Sequence, residues 1–326
     1  MKYIGRKVNV GVGVEAIRGT AVAVQNWTPK TDFSFEEQME LTLDNSSVGT
    51  IVDARDSFVS KNFGEGEIGG NIQVNSLGFY LLGVFGEVNT VVDSVGAYEH
   101  TFSLDESNQG QTLTVGLDDP VIGDMSYPLS SIASFNINAE VGEYVTFTAN
   151  IKSKKGTATT HTVTYTDDNK LRALDSVFKV AENLAGLDGA DAICLRSFSL
   201  TFERNLEDDY CLDGTEPKDY INQSFSVSGS FTAVFQALTL RAYALAGTKR
   251  AIRFEVKDTT TTIGESSNPT LKIELPIVTF EEFSRTQGND ETVTQTLGFK
   301  GLYSSVDESV CDVYLVNTRE DYDPAS

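Results

Sequence analysis

Between Gly64 and Gly86 the sequence GEGEIGGNIQVNSLGFYLLGVFG changes its hydrophobic period once. Ile68, Gly70, Ile72 and Val74 alternate with Glu67, Gly69, Asn71 and Gln73, the period-two pattern of a strand with one buried face. Leu77, Leu81 and Val84 then recur at helical spacing, which predicts a short helix that follows Ser76 as N-cap and stops at Gly86. The same order returns in SFSVSGSFTAVFQALTLRAYALAG, residues 224–247. Phe225, Val227, Gly229, Phe231 and Ala233 alternate with Ser226, Ser228, Ser230 and Thr232; Leu238, Ala242 and Leu245 take the helical spacing, and Gly247 ends it.

The flanks repeat as well. FSFEEQMELTL (residues 33–43) alternates like SFSLTFERN (residues 197–205), and a long polar loop follows each. YEHTFSL (residues 98–104) matches AIRFEVKD (residues 251–258), and each half closes with a hairpin-like run, residues 131–155 and 271–301. The pattern predicts a mainly β chain of two tandem β-sandwich domains, each with one short helix. Residues 1–30 precede the first domain (31–156), residues 157–172 form a Thr-rich junction, and the second domain (173–305) is followed by an edge strand and tail (306–326). Residues 1–30 read either as a first strand or as an extended arm with Trp27 as its anchor on a neighbouring subunit. Glu37 falls on the apolar side of the first alternating run, which predicts either a bulge there or a different register for the run.

Two loops are long for hairpins, 45–62 and 207–222, and such loops commonly form contact surfaces. With the N-terminal segment they supply the candidate inter-subunit or inter-ring contacts: Trp27, Val48, Ile51, Val52, Phe58, Tyr210, Asp213 and Tyr220.

A net charge of −22 and a pI near 4.4 across 326 residues disfavour non-specific attraction to nucleic acid or to anionic membranes. No stretch approaches the apolar length of a membrane span or a signal-peptide core, so a soluble chain made in the cytosol is expected. Cys194, Cys211 and Cys311 are odd in number and widely spaced, which predicts free thiols. His100 and His161 have no partner at metal-ligand spacing, and GVGVEA at residues 11–16 is only a fragment of a dinucleotide fingerprint. The carboxylate clusters Glu36/Glu37/Glu40, Glu207/Asp208/Asp209 and Glu281/Glu282 read as solvated faces. DDP (residues 118–120) and TDDNK (residues 166–170) lack calcium-loop spacing. No catalytic residue, metal site or cofactor is expected.

VGVEAIRGTAV with the W.P that follows it (residues 12–29), FGEGEIGGNIQVNSLGFYLLGVFG (residues 63–86) and TLTVGLDDP together resemble the tail tube proteins of long-tailed bacteriophages. The resemblance implies a β-sandwich with one helix per tube domain and subunits that close into rings. Rings would stack into a β-barrel tube through which DNA leaves the virion without specific binding. A chain carrying two such domains is expected to complete a pseudo-hexameric ring as a trimer, with a hexamer of whole chains as the alternative. Implied partners are further copies of the chain, the tape measure, the tail terminator and baseplate or tip proteins; the implied location is the virion tail, assembled in the host cytoplasm.

On this resemblance the apolar faces (Phe33, Phe35, Leu41; Ile68, Ile72, Val74; Phe198, Leu200, Phe202; Phe225, Val227, Phe231) pack against the helices. The polar faces are left to the lumen: Glu36, Gln38, Glu40, Glu67, Asn71, Gln73, Glu203, Ser226, Ser228, Ser230 and Thr232. The rival reading is a secreted or surface β-sandwich that binds carbohydrate or acts as an adhesin, normally marked by a leader and an aromatic platform that are not visible here. A carboxylate-based hydrolase is a distant third.

Overall fold

A computed structural model describes residues 3–235, 238–286, 288–290 and 292–322. Its first part runs β1 (Asn9–Val14), β2 (Asn26–Thr28), β3 (Lys30–Phe33), β4 (Glu36–Asp44), β5 (Asp56–Asn71), α1 (Val74–Phe85), β6 (Gly86–Ser94), β7 (Ala97–Leu104), β8 (Leu113–Asp118), β9 (Met125–Glu140), β10 (Thr146–Ser153) and β11 (Thr157–Ala158). There follow β12 (Ser176–Ala181), β13 (Leu195–Asp209), β14 (Asp219–Val234), α2 (Thr239–Ala246), β15 (Arg250–Lys257), β16 (Thr270–Arg285), β17 (Thr294–Leu302) and β18 (Asp312–Asn317). The chain is mainly β, as its alternating runs predict.

One continuous antiparallel run organises these strands. β3 and β4 share a side of β5, and from there the order is β5, β10, β9, β13, β14, β17, β16. The β9–β13 ladder, from Ser197 opposite Glu140 to Glu203 opposite Ser134, is the seam at which the N-terminal strands meet the C-terminal ones. Two long strands leave this run at their N-terminal ends. β9 pairs there with β8, which carries β1 and then β2; β16 pairs there with β15, which carries β12.

The irregularities recur with the order. β9 holds Ala133 unpaired between its contacts to β10, and β16 holds Glu281 unpaired between its contacts to β17. The β8–β9 register slips between Leu113 and Val115, and the β15–β16 register between Arg250 and Ile252. The β3–β5 register slips between Lys30 and Asp32, and the β13–β14 register between Leu195 and Ser197. Bulges are positional features of a ladder, so three matches in one order are a stronger sign of repetition than alternation alone.

This register revises several expectations. β8, rather than residues 98–104, corresponds to β15. β6 and β7 form a hairpin without a counterpart after α2, and β7 pairs with β18. β18 is therefore flanked by β16 and β7 instead of lying at an edge. No slip occurs at Glu37, which pairs in register opposite Gly64; the shift in β4 falls between Glu40 and Leu41. Leu41 consequently lies outside the packed face and is 53% exposed. The long loops are shorter than expected, because β5 begins at Asp56 and β14 at Asp219.

Both helices end as expected, at Gly86 (φ 89°) and Gly247 (φ 61°), left-handed positions that a residue with Cβ enters only at a cost. The start of α1 differs. Gln73 is its N-cap residue without a capping side chain, and Ser76 Oγ donates instead to Asn26 Oδ1 at 3.0 Å. The cap comes from Asp168: its Oδ2 accepts from the backbone N–H of Asn75 (2.8 Å) and Ser76 (3.1 Å), its Oδ1 from Asn75 Nδ2 (2.9 Å). A carboxylate at a helix N-terminus satisfies orphan donors and complements the dipole. Burial nevertheless pushes this carboxyl above its ordinary pKa, against the lowering by those hydrogen bonds.

Buried apolar side chains from both ends of the chain form one large cluster, including Phe35, Ile68, Tyr80, Phe135, Phe147, Phe198, Phe202, Phe231, Phe254 and Phe299. The core is thus shared across the β9–β13 seam rather than divided at the junction. The C-terminal segment joins it: Tyr322 is buried against α1, its hydroxyl donating to the Asn75 carbonyl at 2.7 Å.

His100 on β7 holds this clasp. Thr90 Oγ1 lies 2.8 Å from Nδ1, while Nε2 faces Asn317 Oδ1 (3.1 Å) and the Arg319 carbonyl (3.0 Å), the pattern of a neutral ring that donates from Nε2. Burial pulls its pKa below 6.5, outweighing those two bonds and Asp321, with Arg319 adding to the lowering. A depressed folded-state value means that the contribution is complete above the unfolded pKa and is lost as pH falls through the folded one. The melting temperature is expected to be flat above about pH 7 and to fall as the solution is acidified below about pH 6.5, with His100→Gln flattening that part of the profile.

Candidate functional site

The face of the long antiparallel run opposite the core is polar in every strand. One row reads, in register from strand to strand, Asp32, Gly69, Thr148, Asn136, Thr201, Ser228, Lys300, Thr279. A second reads Asn71, Thr146, Asn138, Ser199, Ser230, Gly298, Glu282. Between these rows the core-facing residues of the same strands, such as Phe147, Ile137, Leu200 and Phe299, are buried. Strict alternation against a packed core puts these hydroxyls and amides on the opposite face. Some bond to each other: Thr201 Oγ1 donates to Asn136 Oδ1 across the seam (2.5 Å), and the hydroxyls of Thr232 and Thr296 are 2.9 Å apart.

Of the residues proposed from the sequence for a lumen, Glu67, Asn71, Glu203, Ser226, Ser228, Ser230 and Thr232 share this one face. Glu36 and Gln38 continue it on β4, where Gln38 Nε2 donates to Glu36 Oε1 at 3.2 Å. Glu40 lies further along the β4–β5 hairpin, paired with Lys61 at 3.0 Å. Gln73 stands apart: the chain has left the ladder, and its side chain is buried at the start of α1. Carboxylates outnumber cations on the face, with Asp32, Glu36, Glu65, Glu67, Glu140, Glu203 and Glu282 against Lys152 and Lys300. Lys152 is occupied by Asp208 at 2.9 Å.

The contact candidates divide into two sets. Val48, Ile51, Val52 and Phe58 are all 60% or more exposed on the β4–β5 hairpin. Asp213 is exposed and paired with Lys218 at 3.4 Å. Trp27 is instead buried within its own chain, in β2 and edge-on to His161 at 5.5 Å, so the opening segment is no free arm. Tyr220 is also buried, its hydroxyl donating to the Ser153 carbonyl at 2.9 Å. Tyr210 is half-buried with Lys61 5.1 Å from its ring centre; burial, then Asp208, Glu40 and Glu65, push its pKa up to about 12.

Among the described residues the two ends of the run are unpaired: there β3 and β4 pair only with β5, and residues 279–285 of β16 pair only with β17. The helices differ accordingly. Eleven of the twelve α1 residues are buried, whereas only Leu240 of α2 is. The cover over α1 comes partly from across the seam: Phe85 meets Phe202 (5.1 Å) and Phe225 (5.7 Å), and Arg204 donates to the Gly83 carbonyl at 2.8 Å. Burial, reinforced by Arg18 and opposed by Asp105, lowers the Arg204 pKa to about 10.

Two charged residues of the N-terminal segment were missed by the sequence reading, Arg18, which reaches across to β14, and Glu15, which is held within the N-terminal strands. Within VGVEAIRGTAV, Arg18 bonds Asp219 (2.7 Å) and the carbonyls of Tyr220 (2.7 Å) and Gly110. Glu15 is buried as an acceptor for four donors. Their only signal was the motif itself, because a buried charge within a short polar stretch looks like a solvated one.

Among the described residues the chain is mainly β, with a covered core face, a polar opposite face and an unpaired edge at each end of one sheet. Its edges are templates for further strands. A family model described as phage tail tube protein matches residues 5–301, and the chain belongs to that family, which makes it a structural component of a phage tail. No curated protein matches the sequence. No helix of the described residues is long and apolar enough to cross a membrane.

Proposed function

We propose that this chain is the major tail tube subunit and carries two tandem tube domains, three copies closing one ring and rings stacking into a conduit for DNA. The observation that carries the reading is the eight-position sheet, β3/β4 to β16, with a free edge at each end and a seam in its middle. Three copies place twenty-four strands around the lumen, and edge-to-edge closure removes the edges that otherwise promote disordered aggregation. The matched bulges support duplication, with β9–β13 as the internal counterpart of the contact between neighbouring chains. The exposed α2 supports it too, since an adjoining chain would cover it as Phe202, Phe225 and Arg204 cover α1.

In this arrangement the polar face lines the lumen. Hydroxyls, amides and an excess of carboxylates offer a polyanion little counterion-release binding, so DNA passes without being held. The exposed β4–β5 hairpin, with Val48, Ile51, Val52 and Phe58, provides contacts between rings or subunits. The tail terminator, tape measure and baseplate or tip proteins are the expected partners, and assembly takes place in the host cytoplasm. Electron microscopy of the concentrated protein tests the reading: hollow rings or tubes are expected, whereas a monodisperse monomer under all assembly conditions favours a β-sandwich binding module.

A further inference from the structure

We infer that neighbouring chains join in one register, residues 34–38 of one copy antiparallel to residues 282–286 of the next, with a Glu37–Arg285 ion pair inside the seam. The inference rests on the ring reading and adds the register and the residue that selects the partner. The internal seam sets Phe202 opposite Phe135 and Leu200 opposite Ile137. The matched slips put Asp32 and Phe33 in the places of Ser197 and Phe198, and Glu281 in the place of Ala133. Carried to the free edges, the same ladder sets Glu37 opposite Phe283 and Phe35 opposite Arg285. Glu37 and Arg285 then become diagonal neighbours on the core-facing side, within reach of two long side chains.

These positions depart from their internal counterparts in one respect. Phe202 and Ile137 are fully packed, while Glu37 and Arg285, which stand in their places, are exposed in the single chain. Among the described residues Glu37 has one ion-pair partner, Lys155 at 3.9 Å, and the Arg285 guanidinium lies 5.1 Å from the Phe235 ring. Charges pointing inward from an edge keep an unassembled strand from pairing indiscriminately. When the correct edge arrives, opposite charges meet; when two like edges meet, equal charges repel. The internal seam never faces that choice, because it forms within one chain, and its core-facing side is apolar, with Phe198, Leu200 and Phe202 opposite Ala139, Ile137 and Phe135.

Glu37→Arg, Arg285→Glu and the double reversal test the pair. Each single change is expected to raise the concentration of unassembled subunit at equilibrium about tenfold or more, with the double variant returning close to wild type. Unchanged melting temperatures of the unassembled variants exclude misfolding. For the register, Ser34→Cys with Thr286→Cys, in a Cys194→Ser/Cys211→Ser background, is expected to crosslink chains on mild oxidation into dimers and trimers. Ser34→Cys with Ser284→Cys is expected to crosslink far less. Tubes that form equally well with either single reversal, or equal crosslinking by the two cysteine pairs, overturn this seam while leaving the ring reading intact. A wild-type chain that never assembles removes both.

Discussion

Replacing Phe198 by alanine is expected to lower the unfolding free energy by about 3–5 kcal/mol, the cost of removing a buried ring whose surroundings cannot fully collapse. Phe198 lies on β13 at the seam, 2% exposed, stacked on Phe254 with ring centres 4.0 Å apart. Phe178 at 5.8 Å and Phe299 at 6.2 Å complete an aromatic cluster drawn from four strands. Truncation leaves a cavity among side chains that β-sheet registers hold in place. Urea titration of the unassembled chain measures the loss. Phe198→Leu is expected to recover much of it, because the packing requirement is volume more than ring geometry.

The second large effect is expected at Glu15. Its carboxylate accepts from Thr112 Oγ1 (2.6 Å), Thr114 Oγ1 (3.0 Å) and the backbone N–H groups of Gly19 (2.7 Å) and Leu129 (2.9 Å). Leu129 has φ 55°, a left-handed conformation uncommon for a branched residue, and Glu15 secures its N–H. Glu15→Leu leaves the buried Leu129 N–H, the half-buried Gly19 N–H and two buried threonine hydroxyls without this acceptor, at about 1–3 kcal/mol for a buried donor, and is expected to destabilise by about 3 kcal/mol. Glu15→Gln keeps one acceptor oxygen and is expected to fall between leucine and wild type. Chemical denaturation of the three proteins measures the order; equal stabilities would show that the donors find other partners.

The strands were legible because a period of two shows wherever one face of a strand is packed. Ile68, Ile72, Phe225 and Phe231 carried it, and Gly86 and Gly247 marked both helix ends from chemistry alone. Pairing was less legible. YEHTFSL and TLTVGLDD alternate alike, so sequence could not distinguish the added β6–β7 hairpin from the strand that truly corresponds to β15. The reading of Glu37 went wrong for a related reason. A carboxylate on an apolar face looks like a register error in a finished domain, yet it is in register on an unpaired edge.

Trp27 and Tyr220 were assigned to contacts from their residue type, while their burial depended on partners distant in sequence, His161 for Trp27 and, 67 residues back along the chain, Ser153 for Tyr220. Asp168 attracted notice only as part of TDDNK, a weak calcium pattern. Its carboxylate instead caps a helix that starts 94 residues earlier, at Val74. Such long-range caps leave no trace in local spacing. The polar face was largely legible, since Ser226, Ser228, Ser230 and Thr232 alternate with buried residues and needed only the ladder to become neighbours.

The most direct measurement is a helical reconstruction of the assembled protein by cryo-electron microscopy, at a resolution that separates strands. The account predicts three chains per ring, β3/β4 of each chain beside β16 of the next, and the Ser/Thr/Asn-rich sheet face turned to the lumen. Six whole chains per ring, or a lumen lined by the opposite faces of these strands, would contradict it.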